Sequence, residues 1–149
     1  MSEKLSTEWV RRTHRLMPWT VQELAVKELL FDLGLPFDPR HVFELPDDTR
    51  LSIDFLIFVG PGIALECTSC TKRRGSAIAE VRRRSAFLDY RFSLLRKILP
   101  NLRCAALVEA PNEDRQRVVQ AVRGILGSWS LAATSLESLR TGLSVLVRS

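Results

Sequence analysis

At 149 residues, with 46% hydrophobic and 26% charged residues, the chain has the composition of a folded protein rather than a disordered one. That length suits one domain with one core, and no apolar stretch approaches the ~20 residues that a membrane-crossing helix needs. Twenty-two Lys and Arg against 17 Asp and Glu leave a net charge of +5, which accommodates a polyanionic partner without requiring one.

Residues 1–19 read as an N-terminal extension in which Trp9-Val10-Arg11-Arg12 forms at most a short helix, ended at Met17-Pro18. Thr20 with Glu23 three residues later is a capping box. The apolar positions 21, 24, 25, 29, 30 and 33 then recur at helical spacing, which predicts a helix over 21–33, stopped by Gly34 and Pro36. Three strands follow: Val42–Leu45, Leu51–Val59 and Ile63–Thr68, the last two joined by Gly60-Pro61-Gly62 as a hairpin. The third is almost continuously apolar and is expected to be central.

After the basic loop Thr71-Lys72-Arg73-Arg74-Gly75, a long helix is predicted from Ser76 to about Leu99, with Pro100 beyond its end. Its apolar positions 78, 81, 88, 92, 95 and 99 make one stripe, and its arginines fall largely off it. Leu102–Glu109 reads as a strand, Glu113–Leu126 as a helix ended by Gly127, and Trp129–Ala133 as a short strand. Thr134 with Glu137 suggests a second capping box before a terminal helix that reaches about Val147. The predicted order is α-βββ-α-β-α-β-α, an α/β domain without internal repeats or a linker long enough to divide it.

Cys67, Cys70 and Cys104 are an odd number of thiols. Cys67 and Cys70 form a CxxC, but a zinc site takes about four ligands, and only Cys104, His14 and His41 remain, at no recognisable spacing. Buried thiols in a reducing compartment are the expectation, and the protein is expected to be soluble and cytoplasmic.

The residues that carry chemistry are Asp54, within Ser52-Ile53-Asp54-Phe55-Leu56-Ile57, and Glu66, within Ile63-Ala64-Leu65-Glu66-Cys67-Thr68. A carboxylate inside an apolar run is costly unless something cationic meets it. Two of them at one end of a hairpin suit a hard divalent cation, and such cations suit phosphodiester hydrolysis. Two simpler roles remain open: Glu66 pairing with an arginine of the long helix, and Asp54 capping a strand end near solvent.

A helix with an early glutamate, a β-meander bearing an aspartate, a strand bearing a glutamate, then a long helix and another strand resembles the PD-(D/E)XK, or restriction-endonuclease-like, nuclease superfamily. Within it the small size and leading helix look most similar to archaeal Holliday-junction resolvases. The resemblance covers about residues 20 to 110. It implies a central mixed sheet flanked by helices, with Asp54 and Glu66 as ligands of Mg²⁺ (or Mn²⁺) and the Cys67 carbonyl completing the set. Glu23 would match the helix-borne glutamate that some members place near the metal. Position 68 departs from the pattern, because the family's lysine is Thr68 here. Threonine hydrogen-bonds but carries no charge to stabilise the reacting phosphate, so a relocated cation is sought in Lys72, Arg83 or Arg84.

Lys72-Arg73-Arg74 and Arg82-Arg83-Arg84 flank the acids in sequence and would present a positive field to a phosphate backbone. Gly75 and Ser76, at a helix start, would add free N–H groups for an anion. The competing view is a solvated helix face, which a Glu80–Arg84 pair at i,i+4 fits. Without exposed aromatics interleaved among the cations, recognition is expected to be of backbone and shape rather than of stacked bases. These features lead to a Mg²⁺-dependent endonuclease for double-stranded or branched DNA as the first expectation. An inactive DNA-binding or assembly subunit and a structural interaction domain are its alternatives. Cutting two strands would call for a homodimer, for which the terminal helix with Leu136, Leu139, Leu143 and Leu146 offers an interface unless that stripe is core.

Overall fold

A computed structural model describes residues 18–71, 76–127 and 129–149. Four helices and five strands alternate: α1 (Val21–Asp32), β1 (Phe37–Glu44), β2 (Arg50–Ile57), β3 (Ile63–Ser69), α2 (Ser76–Ile98), β4 (Arg103–Glu109), α3 (Arg115–Leu126), β5 (Leu131–Ala133) and α4 (Leu136–Leu146). The short Trp9–Arg12 helix and the Lys72–Gly75 loop lie outside the described residues. No helix among the described residues is long and apolar enough to cross a membrane.

The strands form one mixed sheet in the order β1-β2-β3-β4-β5. β1, β2 and β3 pair antiparallel, and β3, β4 and β5 pair parallel. That split follows from connection length, since the turn around Gly60 and Gly62 folds β2 back on β3, whereas a parallel neighbour needs a crossover helix. Gly60 and Gly62 hold φ of +56° and +104°, a region that glycine enters without steric cost. α2 is the crossover from β3 to β4 and α3 the crossover from β4 to β5.

Each sheet face takes its own helices. Phe55, Ile57, Ile63, Leu65, Ala105 and Leu107 bury against Val26, Leu29 and Leu30 of α1 and Leu139 and Leu143 of α4. Cys104, Ala106 and Val108 on the opposite face pack on Ile78, Val81, Leu88 and Phe92 of α2 and on Val118, Val122 and Leu126 of α3. Alternation along a strand therefore assigns even-numbered positions of β2 and β3 to the side of α2.

The structure moves several predicted features. β1 starts at Phe37, five residues before the expected start, and carries Pro39, a residue that sheets confine to edge strands such as this one. On α1, Val21 and Leu24 are exposed while Val26 joins Leu29 and Leu30 in the core, so the buried stripe is rotated from the expected one. β5 begins at Leu131 rather than Trp129. The second capping box is shifted by one residue, with Ser135 and Ser138 exchanging bonds in place of Thr134 and Glu137. Leu139 and Leu143 of α4 are fully buried and Leu136 and Leu146 pack against them, so this stripe is core and offers no homodimer surface. Gly142 lets α4 sit tight on β5, because a Cβ there would meet the Leu131 side chain.

Candidate functional site

Asp54 and Glu66 lie side by side where the β2–β3 ladder ends. The last backbone pair on that side is Phe55 with Leu65, and one more step in the same register sets Asp54 beside Glu66. Beyond that pair the backbone N–H groups turn to carboxylates: the Asp54 N–H donates to Glu66 Oε1 at 3.1 Å, and the Cys67 N–H donates to Asp54 Oδ2 at 2.7 Å. Each acid thus satisfies a donor that the diverging strands would leave orphaned.

The cation that meets them comes from α2. Arg91 donates through Nε to Glu66 Oε2 at 2.9 Å and through Nη2 to Glu66 Oε1 at 3.3 Å, and Nη2 also reaches the Ser52 carbonyl. Glu66 is only 6% exposed, so the fork of Arg91 closes both of its oxygens in a charge-assisted, bidentate pair. Of the two simpler roles open for these acids, the structure takes the arginine partner for Glu66.

Burial pushes both carboxyls up. For Asp54 the rise is to about 7, with the charge of Glu66 adding to desolvation and the Cys67 N–H and Arg91 opposing it. For Glu66, desolvation outweighs the pull of Arg91. Glu66 holds the guanidinium directly, so Arg91 opposes its rise by both charge and hydrogen bonding. The neighbouring thiols are quiet: burial raises Cys67 well above its ordinary value and Cys104 to about 12. All three cysteines are free.

Thr68 accepts a hydrogen bond from Arg84 Nη1 at 2.8 Å, while Arg84 Nε donates to Glu80 at 3.0 Å. Of the cations sought from the sequence, Arg84 is the one in contact with Thr68. Glu80, expected on a solvated face, is 4% exposed: it is drawn inward by facing the sheet and holds Arg84 from below. Arg82 and Arg83 point to solvent. Lys72, Arg73 and Arg74 fall outside the described residues.

Glu23 also reaches this region, but as a partner to others. It closes the capping box with Thr20 at 3.2 and 3.0 Å and lies 3.8 Å from Arg40. Arg40 is buried, holds φ +54° in β1, and places its guanidinium 4.3 Å from the Trp19 ring centre. Gln22 ties α1 to the strand ends, donating to the Thr68 carbonyl at 2.8 Å and to Glu109 at 2.9 Å.

A groove runs over these groups. Its first part, about 310 Å³, is lined by Ser52, Asp54, Glu66, Phe87 and Arg91. Its second part, about 410 Å³, is lined by Gln22, Glu23 and Ser69, and both share Asp54, Cys67, Thr68 and Arg84. The fit to a divalent cation is poor as the side chains are packed. Asp54 keeps one oxygen without a hydrogen bond among the described residues, but Glu66 has none to give. Among the described residues no three His, Cys, Asp or Glu side chains converge on a metal position.

Sequence reasoning did not single out Phe87 or Gln22 for this site, and it placed Arg91 further along the basic helix and foresaw an arginine of that helix on Glu66 without saying which. Arg84 and Arg91 are seven apart, two turns of helix, so they share the face that looks at Glu66 and Thr68; that spacing was the available signal. The expectation of no exposed aromatics is corrected, since Phe87 is 59% and Tyr90 61% exposed beside the arginines of α2. Both fall outside the apolar stripe of this helix, and their helix positions point away from the sheet. Comparison with protein-family models, with curated proteins and with solved structures found no match.

Proposed function

We propose that this chain is a restriction-endonuclease-like domain that holds the sugar–phosphate backbone of double-stranded or branched DNA in the Asp54–Arg84 groove without cutting it. The observation that carries this reading is the closure of Glu66 by Arg91 at 2.9 and 3.3 Å. A buried carboxylate with both oxygens engaged by a guanidinium is a poor ligand for a hard cation. Arg84 uses two of its N–H donors within the described fold, and a guanidinium has five, so it retains donors for a phosphate oxygen. Arg82 and Arg83, exposed on the same helix, extend the positive surface.

A second reading is Mg²⁺- or Mn²⁺-dependent hydrolysis by a homodimer, with Asp54 and Glu66 as ligands. It is favoured by the crowding that raises Asp54 to about 7, a tension that a second positive charge would relieve. It requires Arg91 to leave Glu66.

Two assays separate the readings. Binding of duplex and four-way-junction DNA is expected to weaken steeply between low and moderate salt, as counterions are released on phosphate contact, and Arg84→Gln is expected to lower affinity by about tenfold. No nicking is expected with Mg²⁺ or Mn²⁺. Metal-dependent nicking by the wild type that disappears in Asp54→Ala would establish the second reading, and absence of DNA binding at low salt would defeat both.

A further inference from the structure

The outer face of α2 carries a ridge that the groove does not account for. Arg83, Phe87 and Tyr90 follow at spacings of four and three and so share one face, with Lys97 exposed two turns beyond Tyr90. This face lies opposite the buried Val81, Leu88, Phe92 and Leu95. Phe87 is 59% and Tyr90 61% exposed, and Phe87 also lines the groove next to Arg84 and Arg91. The Arg91 guanidinium lies 5.5 Å from the Phe87 ring centre and steadies the ring at the groove mouth.

Charge selects the occupant. α2 holds six cationic side chains, Arg82, Arg83, Arg84, Arg91, Arg96 and Lys97, and only two acids. Glu80 is buried and Asp89 half-buried, so neither is presented on the ridge. A second copy of this ridge would bring cations against cations, whereas a nucleic-acid strand supplies phosphates for the arginines and flat bases for the rings.

We infer that the Phe87–Tyr90 ridge is a stacking ledge for unpaired nucleotides, so that the domain selects DNA in which single strand adjoins duplex. This rests on the DNA-binding reading above and narrows its ligand: the groove takes backbone and the ledge takes bases. Stacking on an aromatic side chain is sequence-tolerant because every base has a π face.

The test uses the full chain with two fluorescein-labelled probes, an oligothymidylate and a blunt duplex, read by anisotropy at low salt. Phe87→Ala and Tyr90→Ala are each expected to weaken oligothymidylate binding about tenfold, and Tyr90→Ala, whose ring is not part of the groove lining, is expected to change duplex affinity less than about twofold. Phe87→Trp, which keeps a ring, is expected to retain affinity and to show tryptophan quenching on binding. Should the alanine variants fail to fold by circular dichroism, the tryptophan variant still decides, since unquenched binding overturns the ledge. If oligothymidylate affinity is unchanged in a folded double variant that carries both Phe87→Ala and Tyr90→Ala while duplex binding persists, the ledge is wrong and the groove reading stands. If the wild type binds neither probe, both fall. If the wild type sediments as a dimer that the double variant dissolves without loss of oligothymidylate affinity, the ridge belongs to a second copy and the inference is overturned.

Discussion

The two faces of β2 and β3 show how differently one hairpin can be used. On the side of α1 and α4, Phe55, Ile57, Ile63 and Leu65 are buried in a continuous apolar layer. On the side of α2 the layer is apolar only near the turn, at Leu56 and Ala64, and then gives way to Asp54, Glu66 and Thr68 facing Arg91 and Arg84. The first face derives its stability from removing hydrocarbon from water, which involves no titrating group. The second buries ions, whose desolvation is offset only where partners are in place. A face with such an ionic end is costly to build and sensitive to conditions, which is what a ligand-binding surface requires and a core does not.

Breaking one partner of the ionic face should produce the largest effect. Arg91→Met leaves Glu66 buried and unpaired, with an expected loss of about 3–5 kcal/mol in urea unfolding. Adding Glu66→Gln should recover much of that loss, and the double-mutant cycle measures the coupling. On the apolar face Leu65→Ala is expected to cost about 2–5 kcal/mol, with a penalty that stays constant from pH 5 to 8 because no titrating group is involved.

The pH dependence sharpens the contrast. Asp54 binds its proton more tightly in the folded chain, at about 7 against the ordinary 3.8. The stability this contributes is complete below 3.8 and is lost as pH rises through 7. Asp54→Asn, which keeps an acceptor for the Cys67 N–H, is therefore expected to stabilise the protein at pH 8 by about 1–2 kcal/mol, and to have little effect below pH 4, as read from melting temperatures across that range. A smaller stability change than for Arg91→Met is expected for Arg84→Gln, since Arg84 is 45% exposed and makes one direct contact with the buried Glu80, where Arg91 holds both oxygens of Glu66. Its consequence should appear in DNA affinity instead.

Much of this architecture was legible in the chain. The element order follows from apolar periodicity and punctuation: Thr20 and Glu23 open α1 as a capping box, Gly60 and Gly62 turn the hairpin, and helical spacing gives the buried side of α2 through Ile78, Val81, Leu88, Phe92 and Leu95. Alternation along β2 and β3 was enough to bring Asp54 and Glu66 together. Less legible were β1, whose Pro39 and left-handed Arg40 obscure a strand pattern, and the first turn of α1, where Val21 and Leu24 are apolar yet exposed.

What the sequence determined by itself is local: which segments are helix or strand, which residues share a side, and that two carboxylates sit where a charge needs a partner. Which partner each receives is a matter of distance between segments remote in the chain, and only the packing of α2 across the sheet decides it. Arg91 lies 25 residues after Glu66 and closes it, and Arg84 lies 16 residues after Thr68 and hydrogen-bonds to it. The same packing turns Phe87 and Tyr90 outward, because a helix buries one stripe and must expose its opposite, whatever residues occupy it.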